Sequence, residues 1–571
     1  METGMRQTII LVVVSVVFIA CADNSNDKTM DTLKQKQSYF QNLEYENNIS
    51  YNTIINTRNS YTTSMCYTKT KDEKSKTVSN PCYSCHTKGK TPNYYNDTNL
   101  QLEYTFPKKA MKNPYLNLFK DRSEAVQKIS DEEILTYVRQ TNYFDGNGAI
   151  ILADGLPQEW KGYRPDCYFN FDEDGFDRDN SGEYTRWRAF RYYPFLGTFW
   201  PTNGSMDDVL IRLDTVFTQD ESGDFDKEVY ALNLAIVESL VKQKDINLSV
   251  AVDESKYGID LNQNEKVDTS KQVVLSTYNK MSYVGRAKQE LRDKKIHLAP
   301  GLFPEGTEFL HSVRYIDWDD TNKHVAMSAR MKELRYAKKE SWKTYSEIER
   351  IASSELNEAL ANGTDEAVMA TFRGDYEHGL SNAMGWIYQG FIEDKGGDLR
   401  PQTHEETIGC MGCHSHLGAT NDSIFSFTRK FEGTNKNAHD FGWNHWGQKD
   451  LVGIQEPKVS YRNYGQQYEY SFYLQNNHSG NEFRNNTEVE NKFFDSNGAI
   501  KEEMLDKLHV DISQLLLPSK KRALALNKGY KVMVEEQSYI YGRDANVKPM
   551  KNVFKIIQDK QTTGLSSVIV R

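Results

Sequence analysis

The chain has 571 residues, 38% of them hydrophobic, 26% charged and 12% aromatic, with a formal net charge of −10. That length holds two or more packed domains, and it excludes both a disulfide-stapled miniprotein and a disordered chain. The 70 Lys and Arg are spread along the sequence rather than gathered into a stripe, which argues against nucleic acid as a partner.

Arg6 precedes an apolar run from Ile9 to Ala20. The run is too short to span a bilayer as a helix and suits the core of a signal peptide, with Met5 as an alternative start. It ends Phe18-Ile19-Ala20-Cys21. This string resembles the lipobox of bacterial lipoproteins, apart from Phe18 in the place of the usual Leu. The resemblance implies that Cys21 is acylated and becomes the mature N-terminus, and Ala22 after it implies sorting to the outer membrane. Residues 22–60, rich in Asn, Ser, Lys and Asp, read as a polar tether that lets the body stand off the membrane.

Two of the strings that follow share one form, Cys82-Tyr83-Ser84-Cys85-His86 and Cys410-Met411-Gly412-Cys413-His414. C-x-x-C-H is the attachment signature of c-type haem. Two thiols one helical turn apart reach the two vinyl groups of a porphyrin, and the adjacent His reaches the iron as proximal ligand. Covalent attachment needs an oxidising compartment, which is where the signal segment sends the chain. With Cys21 and the four motif cysteines assigned, Cys66 and Cys167 remain of the seven, and an exported protein makes them a disulfide candidate.

A second signal is for cations. Asn170, Asp172, Asp174, Asp177, Asp179 and Ser181 place oxygen ligands at alternate positions, with Gly175 and Gly182 for the sharp turn, as a Ca²⁺ loop does. Asp260, Asn262 and Asn264 repeat the alternation, but Glu265 stands where the turn Gly belongs. Arg188 and Lys271 occupy the twelfth places of the two loops, so neither is a full EF-hand. The expected ion is Ca²⁺, with acidic solvated turns as the alternative.

The regular elements follow. Ser130-Asp131-Glu132-Glu133 is a capping box that predicts a helix to about Gln140. Arg186, Arg188 and Arg191 lie among aromatic residues, where they either clamp haem propionates or pack as a solvated face. Helical spacing covers Lys227 to Lys242, alternation at Phe309, His311, Val313 and Tyr315 predicts a strand, and helices resume at Lys343 to Ala361. Two further helices, near Lys501 to Leu516 and Ser519 to Val534, are separated by Pro518. The predicted organisation is a signal peptide and lipobox over 1–21, the tether over 22–60, a first haem region over 61–165, a middle region with the acidic loops over 166–300, and a second haem region with C-terminal helices over 301–571. The expected fold class is mainly α with long irregular loops and minor β, built as cytochrome c-like haem regions around the middle region.

The sixth ligand of each iron decides whether it only passes electrons or also binds a small molecule. His445, between Trp443 and Trp446, is the first candidate for the distal side of the second iron, and His311, Met331 and Met65 compete for the first. His416 stands too close to His414 to cap the same haem.

Through its two C-x-x-C-H motifs the chain resembles dihaem c-type cytochromes. Gly301-Leu302-Phe303-Pro304-Glu305-Gly306 and Gly442-Trp443-Asn444-His445-Trp446 are similar to strings in a family of large, uncharacterised dihaem cytochrome lipoproteins of Gram-negative bacteria. A more distant likeness is to dihaem cytochrome c peroxidases, from which no distal or calcium ligand carries over residue by residue. The expected function is single-electron transfer in the cell envelope by two covalently bound haem c groups, with redox proteins as partners and the membrane reached through the lipid. The alternative is a dihaem oxidoreductase in which one iron keeps an open or displaceable sixth position.

Overall fold

The structure is a computed structural model that describes residues 61–69, 81–197, 201–276, 280–361, 372–415, 418–432, 441–449, 451–477 and 486–571. Cys21, the signal segment, the tether and His416 lie outside the described residues.

A ten-stranded antiparallel sheet organises the body. Its strands are β1 (Phe176–Arg178), β2 (Tyr184–Ala189), β3 (Met206–Asp207), β4 (Leu210–Arg212), β5 (Glu308–Asp319), β6 (His324–Lys339), β7 (Arg373–Asp375), β8 (Gly379–Ser381), β9 (Trp386–Glu393) and β10 (Leu399–Pro401). The order across the sheet is β7-β8-β9-β6-β5-β4-β2-β1, with β10 on β9 and β3 on β5. The spine is the long β5–β6 hairpin, paired from Glu308 opposite Lys338 to Asp319 opposite His324. Its turn is set by Asp319, whose carboxylate accepts the amides of Thr321 and Asn322, and by Lys323 at φ 58°.

The protein is 30% helix and 22% strand, so the expected mainly α fold is corrected to a mixed fold built on this sheet. The reason lies in the strands themselves. Arg330, Lys332, Glu333 and Lys339 of β6 are all buried, which erases the apolar and polar alternation that marks a strand in sequence. Three of these charges are paired inside the protein instead, and Lys332 donates to the Gly204 carbonyl and Ser205 hydroxyl. Glu393 of β9 takes hydrogen bonds from Tyr137, Tyr315 and Arg330, each at 2.6 Å, and Lys339 pairs with Asp422 where neither side chain is exposed at all.

The helices follow their local signals more closely. α2 (Asp131–Arg139) starts where Ser130 Oγ accepts the amide of Glu133; the label α1 is kept for the single turn Cys82–Cys85 described below. In α3 (Lys227–Lys242) the Asp226 carboxylate accepts the amides of Glu228 and Val229, and Gln243 closes the helix in the left-handed region at φ 54°. Leu234, Val237 and Val241 of α3 are fully buried in the largest apolar core. Helices at Tyr345–Ala361, Glu502–Val510 and Ser513–Leu516, and α5 (Lys520–Glu536), occupy the remaining predicted places. Among the described residues no helix is long and apolar enough to cross a membrane.

Two predictions follow from the buried charges. Replacing Lys339 by Ala strands a buried carboxylate, so the cost is about 3–5 kcal/mol in chemical denaturation, whereas the paired change Lys339→Met with Asp422→Asn, which removes both charges but keeps an acceptor for the Phe303 amide, restores part of it. Burial pushes the Glu456 carboxyl up to about 7, against hydrogen bonds from Ser471. The folded state then holds that proton more tightly than the unfolded chain. Stability from this group is full below pH 4.5, the ordinary value, and is lost as pH rises to about 7. A pH series of thermal melts should show this fall, and Glu456→Gln should flatten it.

Candidate functional site

The first motif is a single helical turn, α1 (Cys82–Cys85), which places its two thiols on one side. The backbone amide of His86 donates to the Cys82 carbonyl at 2.8 Å and so carries the imidazole out of the end of the turn. Its Nδ1–H donates to Asp97 Oδ2 at 2.6 Å. Gln101 holds the His86 backbone, donating to its carbonyl at 2.5 Å and to the Ile569 carbonyl at 2.8 Å. Burial disfavours the His86 cation, yet hydrogen bonding with Asp97 and Cys66 raises its pKa to about 10.

The second motif follows α4 (His404–Ile408), whose first turn is closed by a reciprocal capping box between Thr403 and Glu406. Gly412 lies where a Cβ would sit 2.1 Å from the Tyr61 carbonyl, so no larger residue fits at this place between the two cysteines. His414 Nδ1–H donates to the backbone carbonyl of Ser423 at 3.1 Å. The ring packs between Tyr388 and Phe425, with centroids at 4.7 and 5.7 Å. With no carboxylate partner, burial pushes its pKa down to about 4.

Although Cys82 and Cys410 stand 328 positions apart in sequence, their motifs line the same cavity of about 370 Å³. Cys82, Cys85, His86, Cys410, Cys413 and His414 all contribute to its wall. The loops after the two motifs touch directly. Gly418 stands where a Cβ would meet the Thr87 carbonyl at 2.0 Å, and Asn93 Nδ2 donates to the Thr420 carbonyl at 3.3 Å. Burial, reinforced by the neighbouring thiols, raises Cys413 to about 12 and holds Cys85 well above the usual thiol value. The rest of the wall is largely aromatic, including Tyr104, Tyr192, Phe195, Phe309 and Phe425, with Arg335 and Arg429 as its guanidinium groups. Arg335 is paired with Glu333 at 3.0 Å and Arg429 with Glu469 at 2.9 Å. A second cavity of about 230 Å³ shares Tyr61, Met65, Cys410, Cys413 and His414 with the first. The second motif is thus the partition between the two, and Lys332, Glu333, Arg543 and Asp544 give the smaller one a charged wall.

The other sequence candidates fall in different places. His311 lines the larger cavity, with Nε2 at 3.3 Å from Asp207 Oδ2 and Nδ1 bonded to the Asp208 carbonyl. Met65 lines both cavities. His445 lies outside the residues that line either one. Its Nε2–H donates to Asp208 at 2.8 Å, its Nδ1 accepts the Gly447 amide at 3.0 Å, and its ring stacks on Phe171. Both nitrogens are thereby used. Met331 is fully buried on β6 in an apolar core with Leu310 and Leu334. Cys66 and Cys167, the disulfide candidates, are unpaired in the structure, with Cys66 in the cavity wall and Cys167 buried in that same separate core.

The first acidic loop lies at the β1–β2 edge of the ten-stranded sheet, and the second joins the two strands Ile246–Asp253 and Thr269–Val273 of a separate small sheet. In the β1–β2 region Asp172 accepts the amides of Asp174 and Phe176. Lys227 Nζ sits between Asp172 and Asp174, at 2.8 and 2.7 Å, and supplies the positive charge there. Asp177 accepts the amides of Tyr168 and Asn170, and Asp179 those of Ser181 and Glu183. Asp260 accepts the amides of Asn264 and Glu265, and Asn262 that of Asn264. Among the described residues no group of three or more His, Cys, Asp or Glu is arranged to hold a metal ion. Of the three middle-region arginines, Arg188 stacks on Phe176 and Trp443 and Arg191 on Phe431, while Arg186 reaches Thr215.

Sequence reasoning missed Asp97, Ser423, Arg335 and Arg429, and it read Cys66 as half of a disulfide rather than as part of the cavity wall. The others are set by tertiary approach, and Ser423 acts through a backbone carbonyl that any residue supplies.

Over residues 53–511 the chain matches the model of a family described as “-like lipoprotein”. It is 32% identical, over 528 aligned residues, to an “Uncharacterized lipoprotein” of Aquifex aeolicus (strain VF5), with 84% of each chain covered. No solved structure matches it. With the family model spanning well over half its length and a relative aligned across most of both chains, the protein belongs to this lipoprotein family.

Proposed function

We propose that the protein is an exported dihaem c-type cytochrome that carries single electrons in the cell envelope, held at the periplasmic side of the outer membrane by an acyl group on Cys21. Lipoprotein membership supports the anchor and the envelope location. The observation that carries the redox reading is the convergence of both C-x-x-C-H motifs on one aromatic cavity.

The residues present fit the group at both motifs. Each supplies two thiols in thioether spacing and a histidine whose Nδ1 is already engaged, by Asp97 in one case and Ser423 in the other. That engagement fixes the tautomer and leaves Nε2 as the ligating nitrogen. Haem c at each site would supply one-electron cycling between Fe(III) and Fe(II). Cys82 with Cys85, and Cys410 with Cys413, would hold the thioethers, and His86 and His414 the proximal positions. Arg335 and Arg429 border the same cavity, but each already holds a carboxylate, Glu333 and Glu469, so a propionate would have to share them. The apolar part of the lining would favour a low-dielectric surrounding for the haems, and two motifs on one cavity would bring the two centres close to each other.

The smaller cavity behind the second motif favours a second reading, a dihaem oxidoreductase whose second iron keeps an open or displaceable sixth position. Met65 in the larger cavity could fill such a position with its thioether, and His311 could do so only by giving up its contact with Asp207.

Haem counting tests the first reading. Protein from an export-competent host should carry two c-type haems per chain by the pyridine haemochrome assay. The pair Cys82→Ala with Cys85→Ala should leave one, as should Cys410→Ala with Cys413→Ala, and all four changes together should leave none. A count other than two in the unaltered protein overturns it. Carbon monoxide separates the readings: the reduced electron carrier should leave its optical spectrum unchanged, and uptake by one haem selects the oxidoreductase.

A further inference from the structure

The two motif histidines are backed by chemically different partners. His86 donates to a carboxylate at 2.6 Å, His414 to a neutral backbone carbonyl at 3.1 Å. Asp97 is itself buried, and its second oxygen, Oδ1, has no hydrogen-bond partner among the described residues. Its hydrogen bonding is therefore directed at the His86 ring rather than shared out. The residue is placed by the short helix Thr98–Gln101 that it precedes, and Gln101 of that helix grips the His86 carbonyl. Asp97 and His86 are thus fixed to each other by two contacts. A carboxylate drawing on Nδ1–H increases the electron density of the imidazole, strengthens Nε2 as a donor and favours the more positive state of a bound iron. A longer bond to an uncharged carbonyl does this less.

Resting on the dihaem reading above, we propose that Asp97 is a positioning residue that makes the Cys82–His86 centre the lower-potential one, so that electrons enter at the first motif and pass to the Cys410–His414 centre. One electron moves per event. The first iron goes from Fe(II) to Fe(III) as the second goes from Fe(III) to Fe(II), and the cycle closes when a one-electron envelope donor re-reduces the first and a one-electron acceptor re-oxidises the second. The exit centre is then the one that borders the charged, smaller cavity.

Spectroelectrochemical titration of the full-length holoprotein tests this. Two one-electron steps are expected. In Cys410→Ala with Cys413→Ala the lower step should remain, and in Cys82→Ala with Cys85→Ala the upper one; the reverse order overturns the assignment. Asp97→Asn should shift the lower step upward by at least tenfold in its reduction equilibrium, which is 59 mV for one electron, and leave the upper step in place. Asp97→Glu, which keeps the carboxylate, should recover most of the original value. Asp97→Asn protein with both haems present and both steps unmoved overturns the role of Asp97 while leaving the dihaem reading intact. Absence of covalent haem from the unaltered protein overturns both.

Discussion

The buried pair of Lys339 and Asp422 joins the two halves of this molecule's logic. Lys339 is the end of β6, the longest strand of the sheet, and Asp422 opens the turn that carries Ser423. Asp422 and Ser423 both adopt positive φ, at 50° and 64°, a conformation that non-glycine residues take only when their surroundings impose it. The surroundings here are the Lys339 ammonium and the amide of Phe303, which donates to Asp422 at 3.0 Å. Held this way, the turn presents the Ser423 carbonyl to His414. A charge interaction in the sheet thereby sets the tautomer of a histidine in the site, and this is why the strand tolerates a cation with no exposure to water.

The same economy joins the motifs. Neither C-x-x-C-H turn encloses a cavity by itself, because each is only one turn long and has a single face. The cavity is closed where the loops behind the turns pack on each other, at Gly418 on Thr87, and where the second motif itself packs on upstream backbone, at Gly412 on Tyr61. The sheet carries the intervening chain out and back between these contacts. An arrangement of this kind does not need two cytochrome domains.

What the sequence reveals about this protein follows the range of the interactions involved. The motifs, the Ser130 cap and the limits of α3 are legible because a few neighbouring residues determine them. The sheet is not. Its pairings join β6 to β9 across an intervening helix, bulges break the register of β5 near Val313 and Arg314, and the buried strands carry ions matched only in three dimensions. The ligand candidates divide on the same line. His445 looks exposed to chemistry between two tryptophans, but Asp208 and the Gly447 amide satisfy it, and Met331 is core because it faces inward from β6. The acidic loops are built on Asx turns, which use the same residues as a calcium loop, so the sequence alone does not tell one from the other. At the first loop the local pattern also gives no sign of Lys227, which arrives on Asp172 and Asp174 from α3 some fifty positions later.

The grip of Gln101 on the 561–571 segment bears on how the molecule is assembled. Gln101 hydrogen bonds to Ile569 in both directions, at 2.8 Å each, across 468 positions, and Glu103 pairs with Thr562 beside it. The shell around His86 therefore stays unfinished until polypeptide far downstream has emerged and folded back. Order on that side of the Cys82–Cys85 turn is thus a property of the whole folded body rather than of the motif's own neighbours.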